Sequence, residues 1–412
     1  MPMVKFEKES VEASLASFQL TLGEENSWFY DMLTGIKKEY VDQNIKITDI
    51  LVRENKPVQL GIIKAYIPLI FENNEKIQYV IPTRQQIKNV VQILSGYSDE
   101  LIDYKSIIDF SFSVKGLGIF RVNYSTELEG ASLAIRYLTF NLPSFEDVGY
   151  PGFYVDYIKS FIKDLRIEIK GKTFSASTVS AGGLILHTGA TGSGKTTSIA
   201  SEIGYIADNS SGAIITYENP IEYRYIATKA PVKQYGIGEE IATSGENVSE
   251  EIKKHLLRNN PSVALIGEAR ENSEIKMIVE IASRGHLIFS TMHSQNVGEA
   301  LSTLSYVCDD SPYMLASSLQ AIVAHKLIQN KKGKIIPLFE IFIPDEVMKS
   351  QIMKKEIKKI NQLFYKENKT GKYGMTFSKS LDQRVVQGLI QPDEAEDIKR
   401  SNPFIFSSEH NL

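Results

Sequence analysis

The stretch HTGATGSGKTTSIA, residues 187–200, decides the fold of this chain. Its core, Gly189–Thr196, satisfies the pattern G-x-x-x-x-G-K-[ST], in which the glycines let successive backbone N–H groups point into a hollow of anion size. A short apolar segment precedes the loop and a helix-compatible run follows it, so the positive end of a helix also faces the hollow. A glycine-rich turn with a solvated lysine is the alternative, but the strand–loop–helix order favours a phosphate-binding loop.

The loop predicts a nucleotide triphosphate, ATP, together with Mg²⁺. Lys195 is expected to pair with the β- and γ-phosphates, and the Thr196 hydroxyl to ligate Mg²⁺. The predicted nucleotide-binding residues are Gly189, Ala190, Thr191, Gly192, Ser193, Gly194, Lys195, Thr196 and Thr197. The loop predicts which nucleotide is bound but not what the protein does with it.

Around this loop the pattern is that of buried strands alternating with helices, which indicates a parallel α/β sheet. Helical spacing recurs from Val248 to Leu256 and from Ile275 to Ala282, and the chain beyond about residue 345 reads as charged helices. The predicted strands are GLILHT (183–188), GAIITY (212–217), VALIG (263–267) and HLIFSTM (286–292).

The first third reads as a separate, smaller α+β domain. Helical spacing within 25–43 is followed by a strand-like IKITDILV (45–52), and a further helix in TRQQIKNVVQILSGY is expected to end at Gly96. The segments IIDFSFSVKGLGIFRVNY and ASLAIRYL alternate with period two, which predicts a hairpin and a third strand. The same alternation turns Arg121 and Arg136 away from the apolar face.

These patterns predict four parts of the chain. They are an N-terminal domain (1–140), a linker in NLPSFEDVGYPG (141–152), a phosphate-loop domain (153–345) and C-terminal helices (346–412). A length of 412 residues agrees with more than one core.

Composition excludes several function classes. The net charge of −4 gives no basic bulk surface for nucleic acid, and the single cysteine, Cys308, excludes an internal disulfide. We expect no signal peptide in MPMVKFEKES and no membrane-spanning segment, because no apolar stretch approaches the roughly 20 residues that a span needs.

Polar side chains follow three of the predicted strands, where open α/β sheets bind ligands. Glu218 and Glu268 are each able to orient an attacking water, and His293 could sense the γ-phosphate. Two other histidines have simpler interpretations: His286 as a helix-end cap and His255 as a solvated side chain.

Four boxes in this order resemble the hexameric ATPases of type IV pili and of type II and type IV secretion, in particular PilT-like retraction ATPases with DotB and conjugation-type relatives. GATGSGKTT resembles the Walker A box, TYENPIEY the Asp box, NNPSVALIGEARE an atypical Walker B box, and GHLIFSTMHS the His box. The resemblance runs from about residue 40 to 397. It implies a PAS-like N-terminal domain, a RecA-like ATPase domain and a small helical C-terminal extension.

The resemblance also implies roles. Glu218 would be the catalytic glutamate, Glu268 would support Mg²⁺ and the water, and His293 would contact the γ-phosphate or the neighbouring interface. Arg121 and Arg136 match arginines that reach a neighbouring subunit's nucleotide. The implied protein is a cytoplasmic homo-hexamer that works on inner-membrane platform or channel proteins, without direct nucleic acid.

Some positions depart from the family pattern. Asn219 stands where the Asp box has aspartate, the zinc-binding cysteine pairs of the extension ATPases are missing, and the retraction motors' AIRxxR-like element is not evident. The direction of work therefore stays open. Three other interpretations also stay open: a RecA-like nucleic-acid translocase, a small-molecule kinase and a nucleotide-binding scaffold without turnover.

Overall fold

A computed structural model describes residues 11–43, 47, 49–62, 65–73, 76–104, 107–138, 142–219, 221–225, 228–237, 248–368 and 371–406. The chain divides into two compact units, unit 1 (Met1–Asn141) and unit 2 (Leu142–Leu412). The segment 1–10, positions 45, 46 and 48 of the predicted first strand, Asn141 of the predicted linker and the last residues, 407–412, lie outside the described residues.

Unit 1 is an antiparallel sheet with helices. Six strands pair in the order β3-β2-β1-β8-β7-β6, and β4 and β5 form a separate two-stranded ribbon. The strands are β1 (Asp49–Arg53), β2 (Gln59–Ile62), β3 (Ala65–Pro68), β4 (Ile70–Asn73), β5 (Lys76–Tyr79), β6 (Ile107–Val114), β7 (Gly118–Glu127) and β8 (Gly130–Leu138). The helices are α1 (Val11–Leu22), α2 (Ser27–Glu39), α3 (Arg84–Ser95) and α4 (Asp99–Tyr104).

Local sequence rules account for the elements of unit 1. The alternating segment forms the β6–β7 hairpin, with Gly116 at φ 88° in its turn, a value that favours glycine. Helix α3 begins with a capping box at Thr83 and ends at Gly96, whose φ is 74°. Both elements confirm the sequence prediction, because turn and cap residues stand where the apolar periodicity stops.

Unit 2 is built on an eight-stranded sheet in the order β13-β12-β14-β15-β11-β16-β17-β18. Strands β13 to β16 of this order pair in parallel, and the last two pairs are antiparallel. Its strands are β11 (Gly183–Thr188), β12 (Ile214–Glu218), β13 (Val232–Gly236), β14 (Val263–Ile266), β15 (Leu287–Met292), β16 (Leu319–Gln329), β17 (Ile335–Phe342) and β18 (Gly374–Met375). The four predicted strands are confirmed, and they form the centre of the sheet as β12, β14, β15 and β11.

Helices and one short ribbon complete unit 2. The helices of its first part are α5 (Phe145–Val148), α6 (Gly152–Lys159), α7 (Lys195–Asn209), α8 (Val248–Asn259), α9 (Asn272–Ser283), α10 (Val297–Val307) and α11 (Pro312–Ser318). Those after residue 345 are α12 (Glu346–Met353), α13 (Ile357–Asn361), α14 (Phe377–Val386), α15 (Pro392–Ser401) and α16 (Pro403–Phe406), with a π-helical turn at Gln362–Glu367. The predicted C-terminal helices are therefore present, but they pack within unit 2, and β18 joins its sheet.

The predicted linker is mostly folded. Ser144 caps α5 in a capping box with Asp147, and Phe145 and Val148 are buried. Gly149 ends this helix at φ 75°, and its carbonyl accepts a hydrogen bond of 2.6 Å from Arg384. Within the predicted linker, Gly149 is the C-cap of α5, Pro151 is the N-cap of α6 and Gly152 is the first residue of α6, so these residues belong to folded helices.

An unpredicted hairpin, β9 (Ile162–Ile169) with β10 (Lys172–Val179), precedes β11. Among the described strands, each of the two pairs with the other alone. Leu165, Ile167, Ile169 and Phe174 share one face of this ribbon and are 38–53% exposed. None of the described helices is both long enough and apolar enough to cross a bilayer.

Candidate nucleotide-binding and catalytic site

The phosphate loop connects buried strand β11 to helix α7, as predicted. Gly189, Gly192 and Gly194 have φ values of 142°, 76° and 96°, which residues with a Cβ rarely adopt. A Cβ at Gly189 would lie 2.7 Å from both the Ser193 hydroxyl and the His325 carbonyl. The backbone can therefore adopt this loop conformation only with glycine at position 189.

Lys195 lies inside the loop, in the first turn of α7. Its ammonium donates to the carbonyls of Gly189 at 2.6 Å and Ala190 at 3.2 Å. Burial lowers the pKa of Lys195, while the charge of Glu268 opposes this. The Ser193 hydroxyl is buried without a hydrogen-bond partner among the described residues. A buried cation whose acceptors are neutral carbonyls, next to an unsatisfied hydroxyl, fits a phosphate group.

Glu218 ends strand β12 and is only 5% exposed. Burial raises the pKa of its carboxyl group from 4.5 to about 7. The Gln234 amide lies 3.5 Å from one carboxylate oxygen and donates a 2.7 Å hydrogen bond to the Tyr223 carbonyl. A buried carboxyl group that is half ionised near neutral pH has the property that a general base needs.

Two residues beside Glu218 were missed by the sequence interpretation. Gln234 lies on the unpredicted strand β13, and the Tyr223 hydroxyl is 3.1 Å from the Thr197 hydroxyl at the start of α7. Together they connect the glutamate to the phosphate-loop helix. A polar residue within a short strand-like run, VKQYG, was the only available signal for Gln234.

Glu268, Arg270 and His293 form a second cluster. Glu268 accepts a 2.7 Å hydrogen bond from Arg270 Nε, and His293 Nε2 pairs with its other oxygen. Burial raises the pKa of Glu268, but Arg270 and His293 together outweigh it and hold that pKa below its usual value. Glu268 is therefore ionised at neutral pH, in contrast to Glu218.

The predicted magnesium ligands suit that ion. Thr196 is half-buried in the first turn of α7, and Glu268 is an ionised carboxylate whose charge acts on Lys195. Mg²⁺ prefers oxygen ligands and is commonly held by one or two side chains together with the phosphates of the substrate. A hydroxyl and a carboxylate supply such a set.

The two predicted arginines lie in unit 1. Arg121 of β7 and Arg136 of β8 are directly opposite each other in the antiparallel register, on the face away from buried Val122 and Ile135. Arg136 is 54% exposed at its side chain and pairs with Asp49 at 3.3 Å. The strand argument for their common face therefore agrees with the structure.

Two histidine interpretations are corrected. His286 is buried and bonds the Pro261 carbonyl at 2.7 Å instead of capping a helix. His255 is half-buried, 2.8 Å from the Tyr217 hydroxyl, with its ring edge-on to Tyr235. Cys308 is buried as expected, and burial raises the pKa of its thiol to about 11.

Comparison with known proteins agrees with this geometry. The family profile described as "Type II/IV secretion system protein" matches residues 126–391. The type IV pilus retraction ATPase PilT of Pseudomonas aeruginosa is 29% identical over 298 residues, which cover 70% of this chain and 78% of PilT.

Solved structures show the same likeness. The pilus retraction motor PilT with bound ADP superposes with a TM-score of 0.69 at 25% identity, covering 88% of this chain and 95% of that one. The ATPase DotB of Legionella pneumophila has the same fold, with a TM-score of 0.65 at 19% identity, covering 87% and 93%. The chain thus belongs to the type II/IV secretion system protein family, a family of P-loop ATPases.

Proposed function

We propose that this protein is a Mg²⁺-dependent ATPase motor that works as a homo-hexameric ring on a type IV pilus or a type IV secretion or conjugation apparatus. The observation that carries the proposal is the phosphate loop after β11 together with buried Glu218 at the end of β12. Both lie at the carboxyl ends of strands of one parallel sheet, in which β14 and β15 stand between β12 and β11. In this proposal unit 1 is the PAS-like domain and unit 2 is the RecA-like domain. The ring is cytoplasmic and is recruited to the inner membrane by platform or channel proteins.

The residues divide the chemistry among them. The loop N–H groups and Lys195 hold the β- and γ-phosphates, in place of the carbonyls that Lys195 contacts here. Bound Mg²⁺, with Thr196 and Glu268 as ligands, would neutralise part of the phosphate charge. Glu218 accepts a proton from the attacking water. Gln234 contacts its carboxylate and bonds Tyr223, whose hydroxyl contacts Thr197 of α7. His293 and Arg270 orient Glu268.

Arg121 and Arg136 complete the site of a neighbouring subunit. Two like charges directly opposite each other on adjacent strands destabilise a sheet, and here Asp49 offsets only part of that charge. A partly uncompensated arginine pair, with Arg121 half-buried and Arg136 exposed, suits the triphosphate of a neighbour. Hydrolysis would then rotate unit 1 against unit 2 about the segment that joins them.

Phosphate release by the purified protein tests the enzyme. Glu218→Gln should keep ATP bound and lose at least about 10²-fold in turnover, since it removes the general base. Near-normal turnover would remove Glu218 from the mechanism. Light scattering with and without nucleotide tests the ring, and a monomer under all conditions would favour the small-molecule kinase. Turnover stimulated by single-stranded DNA would favour the nucleic-acid translocase.

A further inference from the structure

A chain of buried polar side chains lies next to the phosphate loop and takes no part in the mechanism above. Tyr150 donates a hydrogen bond to one oxygen of Glu202, and His187 Nε2 lies 3.2 Å from the other. His187 Nδ1 lies 2.8 Å from His325 Nε2. All four side chains are at most 9% exposed. We call Tyr150–Glu202–His187–His325 the buried hydrogen-bond chain.

Buried polar groups destabilise the fold unless each has a hydrogen-bond partner. A connected series of four such side chains therefore needs an explanation. Burial raises the pKa of Tyr150 well above its usual value, so the phenol keeps its proton and donates. Burial, with His187 and Lys195 nearby, lowers the pKa of His325 well below its usual value, so this ring stays neutral. The members therefore satisfy one another without solvent.

The position of the chain relative to the loop is specific. His187 lies on β11, two residues before Gly189, and Glu202 lies on α7, seven residues after Lys195. His325 lies on β16, which pairs with β11, and its carbonyl occupies the space beside Gly189. Tyr150 comes from the segment that follows α5. The chain thus connects the strand before the loop, the strand beside it and the helix after it.

We propose that the buried hydrogen-bond chain is a positioning network that fixes the two flanks of the phosphate loop in the nucleotide-binding geometry. In the proposed mechanism none of its four side chains contacts the nucleotide. Its loss should weaken nucleotide binding equally in the ground and transition states, so KM for ATP rises while kcat stays nearly constant. The inference rests on the proposed function, since it requires that the loop bind a nucleotide.

Titration calorimetry with ADP tests the network, with steady-state ATP hydrolysis as the second measurement. Glu202→Ala and His325→Ala should each weaken ADP binding about tenfold, and the double variant should be no weaker than either, because both break one connected unit. Glu202→Gln should restore binding. Its amide can accept from Tyr150 and donate to His187, which keeps the chain connected in the opposite proton order.

Glu394→Ala is the matched control. Glu394 is a buried carboxylate on α15 that accepts from the Lys331 backbone N–H and is not a member of the buried hydrogen-bond chain. This variant should lower thermal stability without changing ADP affinity. Tyr150→Phe is the substitute if an alanine variant fails to fold. It removes one hydrogen-bond donor and little volume, and it should also weaken ADP binding.

Three results would overturn the network. They are unchanged ADP affinity in both single variants, a double variant weakened by the product of the single effects, or a fall in kcat with KM unchanged. ADP binding by the wild type with unaffected variants overturns the network alone. Absence of ADP binding by the wild type overturns the proposed function with it.

Discussion

Replacing Glu218 by glutamine should stabilise the protein, and should do so only at pH values where this carboxyl group is ionised in the unfolded chain. Burial raises the pKa of this group from 4.5 to about 7. The folded state therefore favours the protonated carboxyl, and the wild type loses stability as the pH rises from the unfolded-state value through about 7. Glutamine is a neutral group of the same shape and does not ionise.

The size of the effect follows from the two pKa values. Each pKa unit corresponds to about 1.4 kcal/mol, so the ionised wild-type carboxylate costs about 3 kcal/mol at pH 8 and about 1 kcal/mol at pH 5. For a unit as large as Leu142–Leu412, the gain in unfolding temperature of Glu218→Gln over the wild type should grow by roughly 4 °C between these pH values.

Scanning calorimetry of both proteins at several pH values measures this difference. The only tryptophan, Trp28, lies in unit 1, so its fluorescence separates unfolding of unit 1 from that of unit 2. Glu268→Gln gives the opposite sign, because Arg270 and His293 hold the pKa of Glu268 low, and its carboxylate stabilises the fold above the usual carboxyl pKa. A Glu218→Gln advantage that does not change between pH 5 and pH 8 would refute the assignment of a buried, near-neutral carboxyl group to Glu218.

Three other outcomes are expected. Lys195→Ala should weaken ADP binding in calorimetry by at least about 10²-fold, while the control Lys331→Ala, which breaks an exposed ion pair with Asp393, should bind ADP normally. Equal ADP affinities of the two variants would contradict the loop assignment. The kcat of the wild type should rise with pH through about 7 as Glu218 ionises, and a profile flat from pH 6 to pH 8 would speak against that group as the base. Arg121→Ala and Arg136→Ala should each be inactive alone, by roughly 10³-fold, but recover partly when mixed with Lys195→Ala protein; no recovery in mixed assemblies would exclude sharing of sites between subunits.

The sequence predicts the phosphate loop and the central strands because each rests on short-range rules. Glycines at positions of positive φ, an apolar strand and a helix N-terminus all lie within a few residues of Lys195. The strands that were missed have no such signal. The segment LQAIVAHKLIQ of β16 is an apolar run that periodicity alone does not assign to helix or strand, and β13 contains only five residues.

Long-range contacts were beyond the reach of the sequence. His187 and His325 are separated by 138 residues, and nothing in either neighbourhood indicates that the two rings meet. The helices within the predicted linker were not foreseen for a related reason. Pro143, Gly149 and Pro151 mark turns in any sequence, but long-range contacts such as Tyr150 with Glu202 and Arg384 with Gly149 show that residues 149 and 150 pack within unit 2.

The ribbon of β9 and β10 has a practical consequence for measurements of assembly. Its polar face is joined to the body of unit 2, where Lys229 donates to Ser177, while Leu165, Ile167 and Phe174 stay open to water on the other face. An exposed ribbon of this kind invites strand addition from another molecule. Concentrated samples should therefore self-associate without nucleotide, and Ile167→Ser with Phe174→Ser should abolish that background. Particle growth that depends on ATP and survives these two substitutions is the signal of ring formation.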